Sequence, residues 1–155
     1  MSRSVKEFDD AGADGFVFGM LDEQNQVDQE RCLDLMWITR GKPCTFHRAF
    51  DEIPPELLEH ELEALVEAGF KAVLTSGGEP DAVRGKETLK SLVEKAGNRI
   101  EIVVGGGVRS GNVKKLKEIT GARWFHSSAI VGEDGGQIAS MEEVASLREI
   151  LDSQG

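Results

Sequence analysis

The stretch Ile100-Glu101-Ile102-Val103-Val104-Gly105-Gly106-Gly107-Val108-Arg109 decides how the chain is read. Its first five positions are too few for a helix and rich in β-branched residues, the composition of a buried strand. The three glycines that follow end the strand and let the backbone come close to a ligand. Comparable apolar runs recur on both sides: Gly15-Phe16-Val17-Phe18, Cys44-Thr45-Phe46-His47, Ala72-Val73-Leu74-Thr75 and Trp124-Phe125-His126. The matching positions Gly15, Cys44, Ala72, Glu101 and Trp124 are almost evenly spaced, each step about one strand–loop–helix–loop unit.

The segments between these runs carry helix signals. Residues 2–12 read as the last turns of a helix ending at Ala11-Gly12. Asp28 can cap a helix in which Val27 and Cys32 form a hydrophobic staple. Pro54-Pro55 opens a helix whose stripe is Leu58, Leu62 and Leu65 and which Gly69 ends. Leu89, Leu92, Val93 and Ala96 repeat at helical spacing up to Gly97, and Val113, Leu116 and Ile119 do so up to Gly121. Ser140 with Glu143 forms a capping box before Val144, Leu147 and Leu151.

Strands alternating with helices imply a parallel sheet with right-handed crossovers, either an open doubly wound sheet or part of a closed barrel. The near-constant repeat and the glycine-rich turn favour the barrel. The predicted fold is therefore α/β, an incomplete (β/α)8 barrel of about five parallel strands with flanking helices, in a single domain over residues 1–155. Five units cannot close a barrel that needs eight strands.

The 155 residues include 28 acidic and 18 basic ones, for a formal net charge of −10. That balance argues against a nucleic-acid partner, which requires a basic face. Lys114, Lys115 and Lys117 read as a solvated helix face. No apolar stretch approaches the ~20 residues that cross a bilayer, and the polar start from Met1 to Asp10 is not a signal peptide. The expectation is a cytoplasmic protein with no membrane partner. Cys32 and Cys44 have no metal-ligand spacing and read as reduced structural thiols.

Parallel α/β folds bind ligands at the C-terminal ends of their strands. Those ends here are polar or glycine-rich: Gly19 to Asp22, His47 to Asp51, Thr75 to Gly78, Gly105 to Arg109 and His126 to Ala129. The period of two along a strand predicts that Phe46 and Phe125 face the helices. Thr45, His47, Trp124 and His126 then face the barrel interior, and Val73 and Thr75 are placed inward by the same logic. His47, Arg48 and His126 are the candidates for acid–base chemistry or ligand holding, with Arg48 either gripping an anion or pairing with Asp51. Thr75, Ser76, Gly105, Gly106, Gly107, Ser127 and Ser128 are the candidate ligand contacts. The glycine amides can line an anion nest, and a helix N-terminus near Ser110 or Asn112 would add partial positive charge. The bland reading is a tight turn, a structural histidine and a loop ion pair. His60, in an acidic helix run, reads as surface. For a metal, His47 with His126 is a better pair than the cysteines.

The runs Ala13-Asp14-Gly15-Phe16-Val17-Phe18-Gly19, Thr45-Phe46-His47-Arg48-Ala49-Phe50-Asp51, Leu74-Thr75-Ser76-Gly77-Gly78, Gly105-Gly106-Gly107-Val108 and Phe125-His126-Ser127-Ser128-Ala129 resemble the CutC family in order and spacing. The most specific of them is Thr45 to Asp51. The resemblance implies a (β/α)8-like barrel, a cytoplasmic homo-oligomer, a link to copper homeostasis and copper(I) binding. It places His47, Arg48, Thr75, Ser76, Gly105 to Gly107, His126, Ser127 and Ser128 at the barrel mouth. It also implies that the chain starts just before the fourth strand. The family's first three strands, with their cysteine-bearing segments and arginine-rich loop, would then be absent, leaving unpaired edges beside Gly15 to Phe18 and Trp124 to Ser127. Three functional expectations follow: a copper homeostasis protein, a barrel enzyme or binder for a small phosphate- or carboxylate-bearing metabolite, and a shortened chain without activity of its own.

Overall fold

The computed structural model describes residues 2–132 and 138–153. Helix α1 (Ser2–Asp10) precedes strand β1 (Phe16–Phe18), α2 (Gln29–Ile38) and β2 (Cys44–Phe46). Two 3-10 turns, Arg48–Glu52 and Pro55–Leu57, lead into α3 (Leu58–Ala68) and β3 (Ala72–Thr75). Then come α4 (Lys86–Ala96), β4 (Glu101–Val104), α5 (Ser110–Thr120), β5 (Trp124–Phe125) and α6 (Met141–Asp152). The strands form one parallel sheet in the order β1-β2-β3-β4-β5. Sequential order with parallel pairing puts every strand's C-terminal end on the same rim.

Helix ends follow local chemistry. The Asp28 carboxylate accepts from the Arg31 amide at 3.0 Å and caps α2. Gly69 and Gly121 close α3 and α5 in the left-handed conformation, at φ 91° and 68°, where a Cβ would be strained. Pro54-Pro55 does not open α3 directly. The chain first makes the 3-10 turn Pro55–Leu57, and α3 starts at Leu58.

In-register pairing decides which face each strand buries. Phe46 pairs with Val73, Val73 with Ile102 and Thr75 with Val104. All five are buried, all but Ile102 completely, in the layer between sheet and helices. Phe18, Phe46, Phe50 and Phe70 meet there edge to face, with centroids 5.4–6.5 Å apart. Leu58, Leu62, Leu65, Leu89 and Leu92 are among the side chains that fill the rest. Val73 and Thr75 thus face the helices rather than the interior, contrary to the sequence expectation. Alternation fixes which residues share a face but not which face that is, and pairing with Phe46 sets the phase.

The opposite face carries Val17, Thr45, Leu74, Val103 and Trp124, and no helix among the described residues covers it. Val17 is 65% exposed and Trp124 58%. β1 and β5 have only one partner strand each among the described residues. Buried Glu61 on α3 reaches back to the β1–α2 connection, accepting from the Val27 amide at 2.8 Å. No helix among the described residues is long and apolar enough to cross a membrane.

The two faces respond differently to truncation. Phe46→Ala empties a fully buried site and is expected to cost ~3–5 kcal/mol in urea denaturation. Val17→Ala, on the open face, is expected to stay within ~0.5 kcal/mol.

Candidate functional site at the C-terminal rim

The rim is organised by Asp51, which the 3-10 turn after β2 places over the end of β3. Its carboxylate accepts from the Thr75 hydroxyl at 2.5 Å and from the amides of Ser76 (2.9 Å) and Gly78 (3.1 Å). Arg48 donates to it from Nε at 2.7 Å. Arg48 also donates from Nη2 to the Ser76 hydroxyl at 2.8 Å, and that hydroxyl donates onward to the Glu79 carbonyl. Arg48 is thereby held at Nε and Nη2. Its Nη1 lies against the space over Gly106 and has no acceptor among the described residues. Thr75 and Ser76 serve this network and do not line the cleft beside it.

That cleft, about 230 Å³, is lined by Arg48, Leu74, Gly106, Gly107, Arg109, His126, Ser127 and Ser128. Gly106 and Gly107 have φ of 95° and 70°, which only glycine adopts without strain. Gly105 is buried, and a Cβ there would fall 2.6 Å from Leu74 Cδ1, so its role is close packing. Arg109 is fixed at its four Nη hydrogens. Nη1 donates to the Val108 carbonyl (2.7 Å) and the Ser127 hydroxyl (3.2 Å), and Nη2 to the Ser128 hydroxyl (3.1 Å) and the Ile130 carbonyl (2.8 Å). It contributes charge to the cleft more than free donors. Larger clefts exist, of about 260 Å³ by Gly97, Glu101 and Arg123, about 720 Å³ by Trp37 and about 250 Å³ between β5 and α6. The first lies at the N-terminal ends of β4 and β5, the second lies between α1 and α2, and the third, though it reaches Ser127, is walled mainly by Val108, Phe125, Val144, Leu147 and Leu151.

The two rim histidines stand apart. His47 on β2's end and His126 on β5's end are separated by β3 and β4. Three strand spacings of ~4.8 Å put them about 14 Å apart along the sheet. Imidazoles sharing one ion at ~2 Å each must approach to about 4 Å. They therefore form no pair for a single metal. His47 Nδ1 accepts from the Ala49 amide at 3.2 Å, capping the 3-10 turn and leaving the ring proton on Nε2. Its ring crowds Gly19, where a Cβ would fall 2.9 Å from Nδ1. His126 is exposed and lines the cleft. His60 is exposed too, with Nδ1 3.0 Å from Glu61 Oε1.

Copper(I) favours soft sulfur donors. Cys32 and Cys44 are both buried, and burial pushes both thiols up, towards the protonated form. Cys44 donates from Sγ to the Lys42 carbonyl at 3.4 Å. No group of three His, Cys, Asp or Glu side chains placed to hold a metal occurs among the described residues. The donor set described does not fit a copper(I) site.

Three contributors were undervalued by sequence reasoning. Asp51 appeared only as a partner for Arg48, and Arg109 only as the last residue of the fourth strand end. Glu143 appeared only as part of a capping box. Ser140 does accept from the Glu143 amide at 3.2 Å, but the Glu143 carboxylate goes elsewhere. It takes the Ser110 amide at 2.6 Å and hydroxyl at 2.7 Å, and so holds the position at the start of α5 that had been expected to favour a ligand anion. No local signal points from Glu143 to Ser110.

The CutC family model matches residues 1–131. The chain belongs to the CutC family. It is 44% identical to the human copper homeostasis protein cutC homolog over 125 residues, which is 81% of this chain and 45% of that protein. The chain thus spans about half the length of curated CutC relatives such as this one. The crystal structure of the putative copper homeostasis protein CutC from Streptococcus agalactiae superimposes with a TM-score of 0.77 at 34% identity, covering 81% of this chain and 60% of that one. A structure described as QR15, an aldolase, shares the fold alone, with a TM-score of 0.64 at 19% identity over 80% of this chain and 58% of its own. The five-stranded CutC sheet with its flanking helices is an incomplete (β/α)8 fold.

Glu143 supplies a pH test. Hydrogen bonds from the Ser110 hydroxyl and amide, with Arg109 nearby, hold its carboxyl below the ordinary 4.5. A depressed folded value means that the α5–α6 tether is fully stabilising above pH 4.5. Its contribution is lost as pH falls through the lower folded value. The protection of α6 amides against hydrogen exchange, measured relative to the intrinsic rate at each pH, should therefore fall on acidification below pH 4.5, and Glu143→Gln should flatten that dependence.

Proposed function

We propose that the rim cleft of this chain binds a small anion, a phosphate- or carboxylate-bearing metabolite, within a protein of the copper homeostasis family CutC. One observation carries the reading: two guanidinium groups, Arg48 and Arg109, line a single cleft whose lining includes no carboxylate. Asp51 neutralises Arg48 only from the Nε side, leaving the Nη1 edge facing the space over Gly106. Positive charge held rigidly beside glycine backbone is the arrangement that recognises anions. His126 and Ser128 add donors at the lip. No reaction is assigned to the site, since His47 spends Nδ1 on a backbone amide and neither rim imidazole is oriented by a carboxylate among the described residues.

The relatives' names favour a second reading, that the chain also takes up copper(I). The donors described do not assemble into such a site, so the expected outcome of competition with a copper(I) chelator is that the metal stays with the chelator. One equivalent of protein-bound copper(I), lost in His126→Ala or Cys44→Ser, would reverse that expectation. The edges of β1 and β5, each with one partner strand among the described residues, support a homo-oligomer, and the two unpaired cysteines suit a cytoplasmic setting.

Anion binding is tested by calorimetric titration of the chain with inorganic phosphate and with malonate. At least one should bind, and Arg48→Met should weaken it by about tenfold, the loss of one charge-assisted contact. Asp51→Asn should weaken it less and lower the melting temperature, because it loosens Arg48 and leaves the Thr75–Gly78 turn short of an acceptor. Absence of binding to either anion would overturn the proposal.

A further inference from the structure

The cleft offers more donors than a planar carboxylate can accept. Arg48 Nη1 brings two N–H groups with no acceptor among the described residues. The amides of Gly106 and Gly107 donate to nothing among the described residues. The Gly106 carbonyl accepts from the Ala82 amide at 2.9 Å. In a trans peptide the next N–H points the opposite way, so the Gly107 amide is turned off the Ala82 loop. The Gly107 carbonyl is likewise held, by Asn112 Nδ2 at 2.9 Å. Ser128 Oγ accepts from Arg109 at 3.1 Å and from the Ile130 amide at 3.5 Å, which leaves its hydroxyl proton to donate. His126 adds a ring with no hydrogen-bond partner among the described residues. The acidic side chain closest to Gly107, Asp81, is turned to the Arg84 amide at 2.9 Å and guanidinium at 3.5 Å.

These donors come from the ends of three strands, β2, β4 and β5. A carboxylate presents two oxygens in a plane, whereas a phosphate monoester presents three terminal oxygens in a tetrahedral array and carries close to two negative charges at neutral pH. Two guanidinium charges match a dianion. Leu74 supplies one apolar wall, and Val103 and Trp124 continue that face below the rim, where an organic group would lie.

Building on the anion-binding reading, we infer that the ligand is a small phosphate monoester. Its phosphate is held by Arg48 Nη1, the Gly106–Gly107 backbone and Ser128, under the charge of Arg109, and its ester substituent lies along the Leu74 side. The class is set by charge and by the number of terminal oxygens.

The test compares methyl phosphate, a dianion with three terminal oxygens, with dimethyl phosphate, a monoanion with two, and with malonate, a dicarboxylate. Affinity is measured by calorimetry, and location by the amide resonances of Gly106 and Gly107. Methyl phosphate should bind at least about tenfold more tightly than either comparator. It should shift both glycine amides and lose several-fold in affinity in Ser128→Ala and about tenfold in Arg48→Met. Malonate binding as tightly as methyl phosphate would overturn the phosphate class and leave the anion site standing. Methyl phosphate binding that neither variant weakens, and that leaves the glycine amides unmoved, would overturn the assignment to this cleft. Failure of all three anions to bind would remove the underlying reading as well.

Discussion

Parallel pairing in unbroken sequential order is the constraint from which the rest of this molecule follows. Because β1 to β5 run the same way and neighbour one another in chain order, each crossover helix returns the chain to the same end of the sheet. The five polar or glycine-rich strand ends are thereby gathered on one rim, although they are spread along the chain from Gly19 to Ala129. The register does a second thing. Pairing Phe46 with Val73 and Val73 with Ile102 aligns the bulky apolar residues under the helices. Loss of that register would turn the core side chains to the other face and carry Arg48 and Asp51 away from Ser76 and Gly106.

On that platform a buried carboxylate does the positioning. Asp51 is 24–27 positions from Thr75, Ser76 and Gly78, yet it accepts from all three and from Arg48. Its Oδ1 closes the β3 loop, and its Oδ2 aims the Arg48 guanidinium. Arg109 is fixed in a parallel way by Val108, Ser127, Ser128 and Ile130. Two cations are thus preorganised on either side of the glycine run, and little side-chain entropy remains to be lost on binding.

The second sheet face and the two outer strand edges set the molecule's other character. Val17 and Trp124 stand on a face that no helix among the described residues covers, and Leu74 and Val103 lie between them half-buried. In a closed (β/α)8 barrel that face is a packed interior. The matched part is 45% of the human cutC homolog, and the Streptococcus agalactiae CutC structure extends well beyond the part that superimposes here.

The sequence by itself determined much of this. Apolar runs at a regular repeat specified five strands and their order. Asp28, Gly69 and Gly121 marked helix ends because capping is a matter of a few adjacent residues. The position of His47, Arg48, Gly106, Ser127 and Ser128 at strand ends was legible for the same reason. The tertiary structure alone decided what each of them does. Alternation could not say whether Val73 and Thr75 faced helices or interior, since phase depends on pairing with another strand. Nor could it separate His47 from His126 by two strands, turn Thr75 and Ser76 toward Asp51, or send Glu143 to Ser110. Those outcomes join residues roughly 25–80 positions apart, and a contact at that range is set by how layers pack, for which a linear pattern carries no term.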